Sequence, residues 1–124
     1  MRFGRAMLFV KDLDRMIRFY SEVIGFRVIE RTRHPDWVEF ETGGAGFSLH
    51  AIPAHIAQDI IQVLSPPVPR EQQSCKLIFE VDDLDAELAR LTGLGVGILH
   101  RPWGGWDVVD PEGNVLGVRS KSAG

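Results

Sequence analysis

The 124-residue chain is poor in several things, and each shortage excludes something. It has one cysteine, Cys75, so no internal disulfide can form, and no Cys or His stands beside it at zinc spacing. No apolar run approaches the roughly 20 residues that span a bilayer. The opening Met1-Arg2-Phe3-Gly4-Arg5 lacks the long apolar stretch of a signal peptide, so a cytoplasmic location is expected. No block of one charge sign exists; net charge is −3 with acids and bases interspersed, which argues against nucleic-acid or membrane-surface binding driven by bulk charge. What is present is ordinary globular material, 44% hydrophobic and 25% charged, enough for one domain with a real core.

The chain repeats itself. Val10-Lys11-Asp12-Leu13-Asp14 recurs as Val81-Asp82-Asp83-Leu84-Asp85, at an offset of 71. Gly25 then matches Gly95 at an offset of 70, and Trp37 with Trp106 and Gly44 with Gly113 at 69. The drift is what shortening loops between elements kept in order would give. In each copy a short apolar strand precedes an Asp cap, Asp12 or Asp83, and then a helical stripe. The first stripe is Leu13, Met16, Ile17, Tyr20, Val23 and Ile24; the second is Leu84, Leu88, Leu91 and Leu94. Gly25 and Gly95 stand where a left-handed stop is wanted. Three strand-like runs follow each helix: 27–33, 37–41 and 47–52, then 97–100, 106–109 and 115–119.

The expected fold is α+β: two tandem βαβββ modules, residues 1–52 and 75–124, forming a curved eight-stranded mixed sheet around a central cup. Residues 53–74 join them. Pro66, Pro67 and Pro69 break the second half of this connection, residues 54–64 read as a short helix, and its length suits a lid or linker.

Alternation sorts the strand residues into two faces. Ala6, Leu8 and Val10, Phe47 and Leu49, Leu77, Phe79 and Val81, and Leu116 and Val118 belong against the helices. Arg5, Ser48, His50, Lys76, Glu80 and Arg119 fall on the other, inner face, and Trp37, Glu39 and Glu41 join them. If Trp106 also points inward, Asp107 is left facing the helices, which its charge does not explain. Arg5, Lys76 and Arg119 in one cup favour a carboxylate, phosphate or phenolate, unless Glu80, Glu39 and Glu41 neutralise them in an internal network. Trp37, Trp103 and Trp106 offer flat apolar surface for a planar ligand, or packing surface for a partner. His50 reads as a general base, a ligand in a shifted metal site with Glu39, or a hydrogen-bonded wall residue. His34, His55 and His100 read as surface residues.

Val10-x-Asp12-Leu13-Asp14, Phe19-Tyr20-x-x-Val23-x-Gly25-Phe26 and Asp110-Pro111-x-Gly113-Asn114, in this order, resemble the glyoxalase/bleomycin-resistance/extradiol-dioxygenase (vicinal oxygen chelate) superfamily over nearly the whole chain. The resemblance implies metal ligands at Arg5, Ser48, Lys76 and Gly117. Two cations, a hydroxyl and a glycine do not make a divalent metal site, so no metal and no other cofactor is expected. The expected function is metal-free binding of a small anionic or aromatic molecule. The ligand contacts would be Arg5, Ser48, Lys76, Glu80, Arg119, Trp37, Trp103 and Trp106. A homodimer is expected, because the resemblance implies a cup closed either within one chain or by exchange of modules between two. The alternative is a lyase, isomerase or dioxygenase using His50 with Glu39 or a rearranged metal site.

Overall fold

The computed structural model describes residues 1–60 and 65–121, and the chain divides into two compact units, 1–62 and 63–124. In the first unit, strand β1 (Arg5–Val10) leads to helix α1 (Leu13–Arg18), then β2 (Arg27–Val28), β3 (Trp37–Glu41), β4 (Gly46–Ala51) and helix α2 (Ala54–Ile60). In the second, β5 (Ile78–Val81) leads to α3 (Leu84–Gly93), β6 (Gly97–His100), β7 (Trp106–Val109) and β8 (Val115–Ser120). The eight strands form two four-stranded mixed sheets of one topology, β1-β4-β3-β2 and β5-β8-β7-β6, with a parallel pair at β1–β4 and at β5–β8. This is the tandem βαβββ organisation that the repeat predicts.

Local chemistry sets the element ends. The side chains of Asp12 and Asp83 accept from the backbone N–H groups of Arg15 and Ala86, capping α1 and α3. The first stripe does not stay α-helical to Ile24: after Arg18 the chain widens into one π turn, Phe19–Val23, closed by bonds to the Phe19 and Tyr20 carbonyls before Gly25. Tyr20 is thereby fully buried, its ring 5.0 Å from that of Phe47 and 5.1 Å from that of Phe19. The 27–33 run keeps only two residues of strand before a 3₁₀ turn at Glu30–Thr32. Of the expected 54–64 helix, Ala54–Ile60 is helical, and 61–64 lie outside the described residues.

The face assignments hold where alternation is clean. Val10, Leu49, Val38, Phe40 and Phe47 are buried in the first unit, and Val108, Leu116, Val118 and Leu91 in the second. Arg5, Met7 and Phe9 alternate with them and are exposed.

One assignment changes. Register places Trp106 opposite Val118 and Asp107 opposite Gly117, and directly opposed residues share a face. Trp106 therefore lies on the helix side with Val118, where it stacks on His100 at 4.1 Å. Asp107 lies on the face of Gly117, Ile78 and Arg119. In the first unit the residue opposite Ser48 is Glu39, so the counterpart of Glu39 is Asp107 and the offset here is 68 rather than 69. The two tryptophans are not equivalent positions.

The connection between the modules is not free in its second half. The Arg70 N–H donates to the Gly113 carbonyl at 2.9 Å, and its side chain donates from Nε to the Glu112 carbonyl at 3.0 Å and from Nη2 to the same oxygen. Gln73 Nε2 reaches Asn114 Oδ1 at 3.4 Å. The 65–74 segment is thus laid against the β7–β8 turn, which Asp110 organises by accepting from the N–H groups of Glu112 and Asn114, each at 2.9 Å, and from Asn114 Nδ2 at 2.8 Å.

Candidate functional site: a cation cluster around a buried aspartate

Asp107 has a fully buried side chain, and three cations converge on it. Lys76 Nζ and Arg101 Nε each stand 2.7 Å from Oδ2, and Arg119 Nη2 stands 3.4 Å from Oδ1. Burial by itself opposes ionisation of this carboxyl and is the largest single influence on it. Hydrogen bonds from Lys76 and Arg101, with their charges, together outweigh it and hold Asp107 below the ordinary carboxylate range. The Arg101 guanidinium is correspondingly pushed up, chiefly by its bond to Asp107 and against its own desolvation. Both groups are charged at neutral pH.

Each cation is positioned by the backbone beneath it. Lys76 precedes β5 and projects to the same side as Ile78. Arg101 opens the turn between β6 and β7, its N–H bonded to the Gly105 carbonyl at 2.8 Å. Arg119 folds back along β8: Nη1 donates to the carbonyls of Trp106 and of Val118, the latter at 3.0 Å. A side chain at Gly117 would meet Arg119 Cζ at 3.3 Å, so the glycine leaves the space in which that guanidinium lies. Glu71 adds a second carboxylate, its Oε2 3.0 Å from Arg101 Nη2, and is half-exposed. Glu80 sits opposite Arg119 in register on the same face and is exposed. The ion-paired cluster thus holds three cations and two carboxylates, an excess of one positive charge.

Trp103 flanks the cluster. Lys76 Nζ lies 5.9 Å from the centre of its ring. A Cβ at Gly105 would fall 2.7 Å from Trp103 Nε1 and 3.0 Å from Arg119 Nη2, so the indole folds into the space that a glycine leaves. It remains 72% exposed, an unusual state for so large an apolar surface and one that leaves its ring open to a planar partner.

The first unit repeats this arrangement in simpler form. Arg5 Nη1 stands 2.7 Å from Glu39 Oε1, and its guanidinium lies 5.6 Å from the ring centre of Trp37. Arg5 and Lys76, and Glu39 and Asp107, are repeat counterparts. His50, the counterpart of Arg119, holds Nδ1 2.9 Å from the Ala51 carbonyl oxygen and meets the Phe9 ring edge-on at 5.7 Å. Glu39 is engaged by Arg5 and His50 by the Ala51 carbonyl, and among the hydrogen bonds of the described residues none joins Glu39 to His50. Ser48, between Met7 and Glu39 in register, is fully buried, and its Oγ has no hydrogen-bond partner among the described residues.

Alternation found Arg5, Lys76, Arg119, Glu39 and Ser48. It missed Asp107, Arg101 and Glu71. Aligning Glu39 with Asp107 rather than Trp37 with Trp106 would have recovered Asp107, since it keeps the apolar Phe40 and Val108 in step. Arg101 and Glu71 lie in turns 30 residues apart, where no periodicity applies.

The positions that the family resemblance assigns to metal ligands do not fit a metal. Arg5 and Lys76 are cations engaged with carboxylates, Ser48 offers one neutral oxygen, and Gly117 offers no side chain and lies beneath a guanidinium. Among the described residues, no group of three or more His, Cys, Asp or Glu side chains is arranged to hold a metal ion.

Two four-stranded βαβββ sheets of one topology in tandem, each with a cation–carboxylate pair at corresponding positions, define the class of the protein. The model of the Glyoxalase/Bleomycin resistance protein/Dioxygenase superfamily matches residues 2–118, and the chain belongs to that superfamily. Among solved structures it is similar to a protein of unknown function from Agrobacterium tumefaciens, at 26% identity and a TM-score of 0.70, covering 98% of this chain and 95% of that one. It is similar to TnmS3, an antibiotic binding protein from a Streptomyces species, at 26% identity and a TM-score of 0.65, covering 98% and 97%. A glyoxalase/bleomycin resistance protein/dioxygenase family enzyme from Burkholderia phytofirmans shares its fold at 23% identity and a TM-score of 0.69, covering 97% and 98%. No curated protein matches the chain. No helix among the described residues is long and apolar enough to cross a membrane.

Proposed function

We propose that the protein binds a small anionic molecule with a planar, partly aromatic body, without a metal and without transforming it. The observation that carries this is the cluster on Asp107: three cations are fixed by one buried carboxylate, with an exposed indole beside them. Asp107 serves as the brace. It takes one N–H of the Lys76 ammonium and the Nε–H of Arg101 and leaves further donors on both, because an ammonium has three N–H groups and a guanidinium five. A ligand carboxylate or phenolate would take those donors, and its ring would lie along Trp103. Among the described residues, no nucleophile–base pair and no donor set for Lewis-acid work accompanies the cluster. Similarity to an antibiotic binding protein is consistent with a binding role.

Tryptophan fluorescence and calorimetric titration with benzoate, 1-naphthoate and their uncharged amides test the reading. The acids are expected to bind more tightly than the amides. Lys76→Ala and Arg101→Ala are each expected to weaken the acids by about 1.5 kcal/mol, or roughly tenfold, the lower end of the range for a hydrogen bond to a charged group because the cluster is partly exposed. Equal affinity for acid and amide, or no effect of either substitution, would overturn it. The metal-free part is tested separately: elemental analysis after purification without added metal is expected to find no stoichiometric zinc, nickel, manganese or iron.

A further inference from the structure

Arg101 carries two carboxylates of opposite character. The Nε and Nη2 donors form one edge of its guanidinium, the edge that grips a single carboxylate with two parallel bonds. Here the edge is divided: Nε goes to Asp107 at 2.7 Å and Nη2 to Glu71 at 3.0 Å. Asp107 is fully buried, whereas the Glu71 side chain is 55% exposed. An exposed pair of this kind is weak and water competes with it. Glu71 nevertheless does not drift away, because its chain neighbours are fastened: Arg70 to the carbonyls of Glu112 and Gly113, and Gln73 to Asn114. A weak carboxylate is therefore held at high effective concentration beside a cation cluster.

We propose that Glu71 is a built-in competitor for the anion site, occupying the Arg101 Nη2 donor until a ligand carboxylate displaces it. This rests on the anion-binding reading above and adds to it that binding is an exchange of one carboxylate for another. Two consequences follow from the chemistry. Only anions that outbid a tethered carboxylate are retained, so weak monovalent anions are rejected while a carboxylate that also covers Trp103 is accepted. The brace is not exchanged, because Asp107 is inaccessible and bonded to three cations.

The test is titration of the whole chain with a panel of acetate, benzoate and 1-naphthoate. Glu71→Gln, which keeps the shape and removes the charge, is expected to raise affinity about three- to tenfold, the scale of losing an exposed competing pair plus one nearby negative charge. Glu71→Asp keeps the charge but shortens the reach, and is expected to raise affinity as well; a purely long-range charge effect would not produce that gain. Asp82→Asn removes an exposed carboxylate paired with Lys121 and is expected to leave affinity within about twofold, a screened remote charge. Adding Arg101→Ala to Glu71→Gln should erase the gain. If wild type binds the acids through Arg101 while Glu71→Gln and Glu71→Asp match it, the competitor proposal is overturned and the anion site stands. If neither wild type nor Glu71→Gln binds any member of the panel, both fall.

Discussion

Lys76 Nζ lies 2.7 Å from Asp107 Oδ2, and this pair is the internal repeat of another, Arg5 with Glu39, also at 2.7 Å. In both units a cation at the start of the first strand reaches across to an acid on the third, with a tryptophan near the cation. The tryptophans occupy different positions. Trp37 stands on the strand itself, while its counterpart Gly105 has no side chain and Trp103 fills the gap from the preceding turn. What the repeat retains is the spatial trio, not the sequence position of its aromatic member.

The two pairs differ in burial, and their energies should differ accordingly. Side-chain exposure is 45% and 21% for Arg5 and Glu39, against 35% and 0% for Lys76 and Asp107. Glu39→Gln is expected to cost no more than about 1 kcal/mol, the range of an exposed pair. Asp107→Asn leaves three cations without their brace and is expected to cost about 2–4 kcal/mol, near the scale of breaking a buried pair and reduced because the cations are partly solvated. Urea denaturation of both variants checks the order; equal losses would contradict it.

Asp107 also fixes the sign of a pH dependence. Its carboxyl is held below the ordinary range in the folded chain. Such a group contributes its full stability above the unfolded value of about 3.9 and loses it as pH falls through the lower folded value. Wild type should therefore lose stability steadily below about pH 4, and Asp107→Asn should show a flatter profile through that window. Parallel profiles for the two proteins would show that Asp107 does not carry the dependence.

How legible this was in the sequence depends on the kind of contact. The repeat, the Asp12 and Asp83 caps and the alternation of β1, β4, β5 and β8 all follow from local rules, and the structure has them. In the third strand of the second copy, matching Trp37 to Trp106 shifts the register by one residue, and one residue reverses every face. That match leaves the charge of Asp107 unexplained, whereas the observed register places it as a carboxylate among cations. The contacts of Arg101, Glu71 and Arg70 join turns distant in sequence, and only the folded chain brings them together.

The 65–74 segment owes its seat to one glycine. Gly113 has φ +84, and a Cβ there would fall 2.5 Å from the Val68 carbonyl oxygen. Gly43 has a similar φ of +80 with open space around it. Gly43→Ala should cost only the backbone strain, about 1–2 kcal/mol. Gly113→Ala should cost more and should lift the segment, since the backbone oxygen that it meets cannot rotate away. Limited proteolysis is expected to cut 65–74 faster in Gly113→Ala than in Gly43→Ala; equal cutting would place the segment's anchorage elsewhere.

Ser48 supplies the last test, because its position is polar and its surroundings are not yet matched to it. The residue is fully buried, and Oγ has no hydrogen-bond partner among the described residues. Its register neighbours are Met7, which offers no strong donor or acceptor, and Glu39, whose carboxylate is taken by Arg5. A buried hydroxyl without a partner costs about 1–3 kcal/mol relative to one that is satisfied. Ser48→Ala removes that cost and leaves a void no larger than one oxygen atom. It should hold stability level or raise it by about 0.5–2 kcal/mol, whereas an ordinary buried serine with a partner would lose stability on the same change. Urea denaturation of Ser48→Ala decides between them: a loss beyond about 1 kcal/mol would mean that the hydroxyl is satisfied in solution.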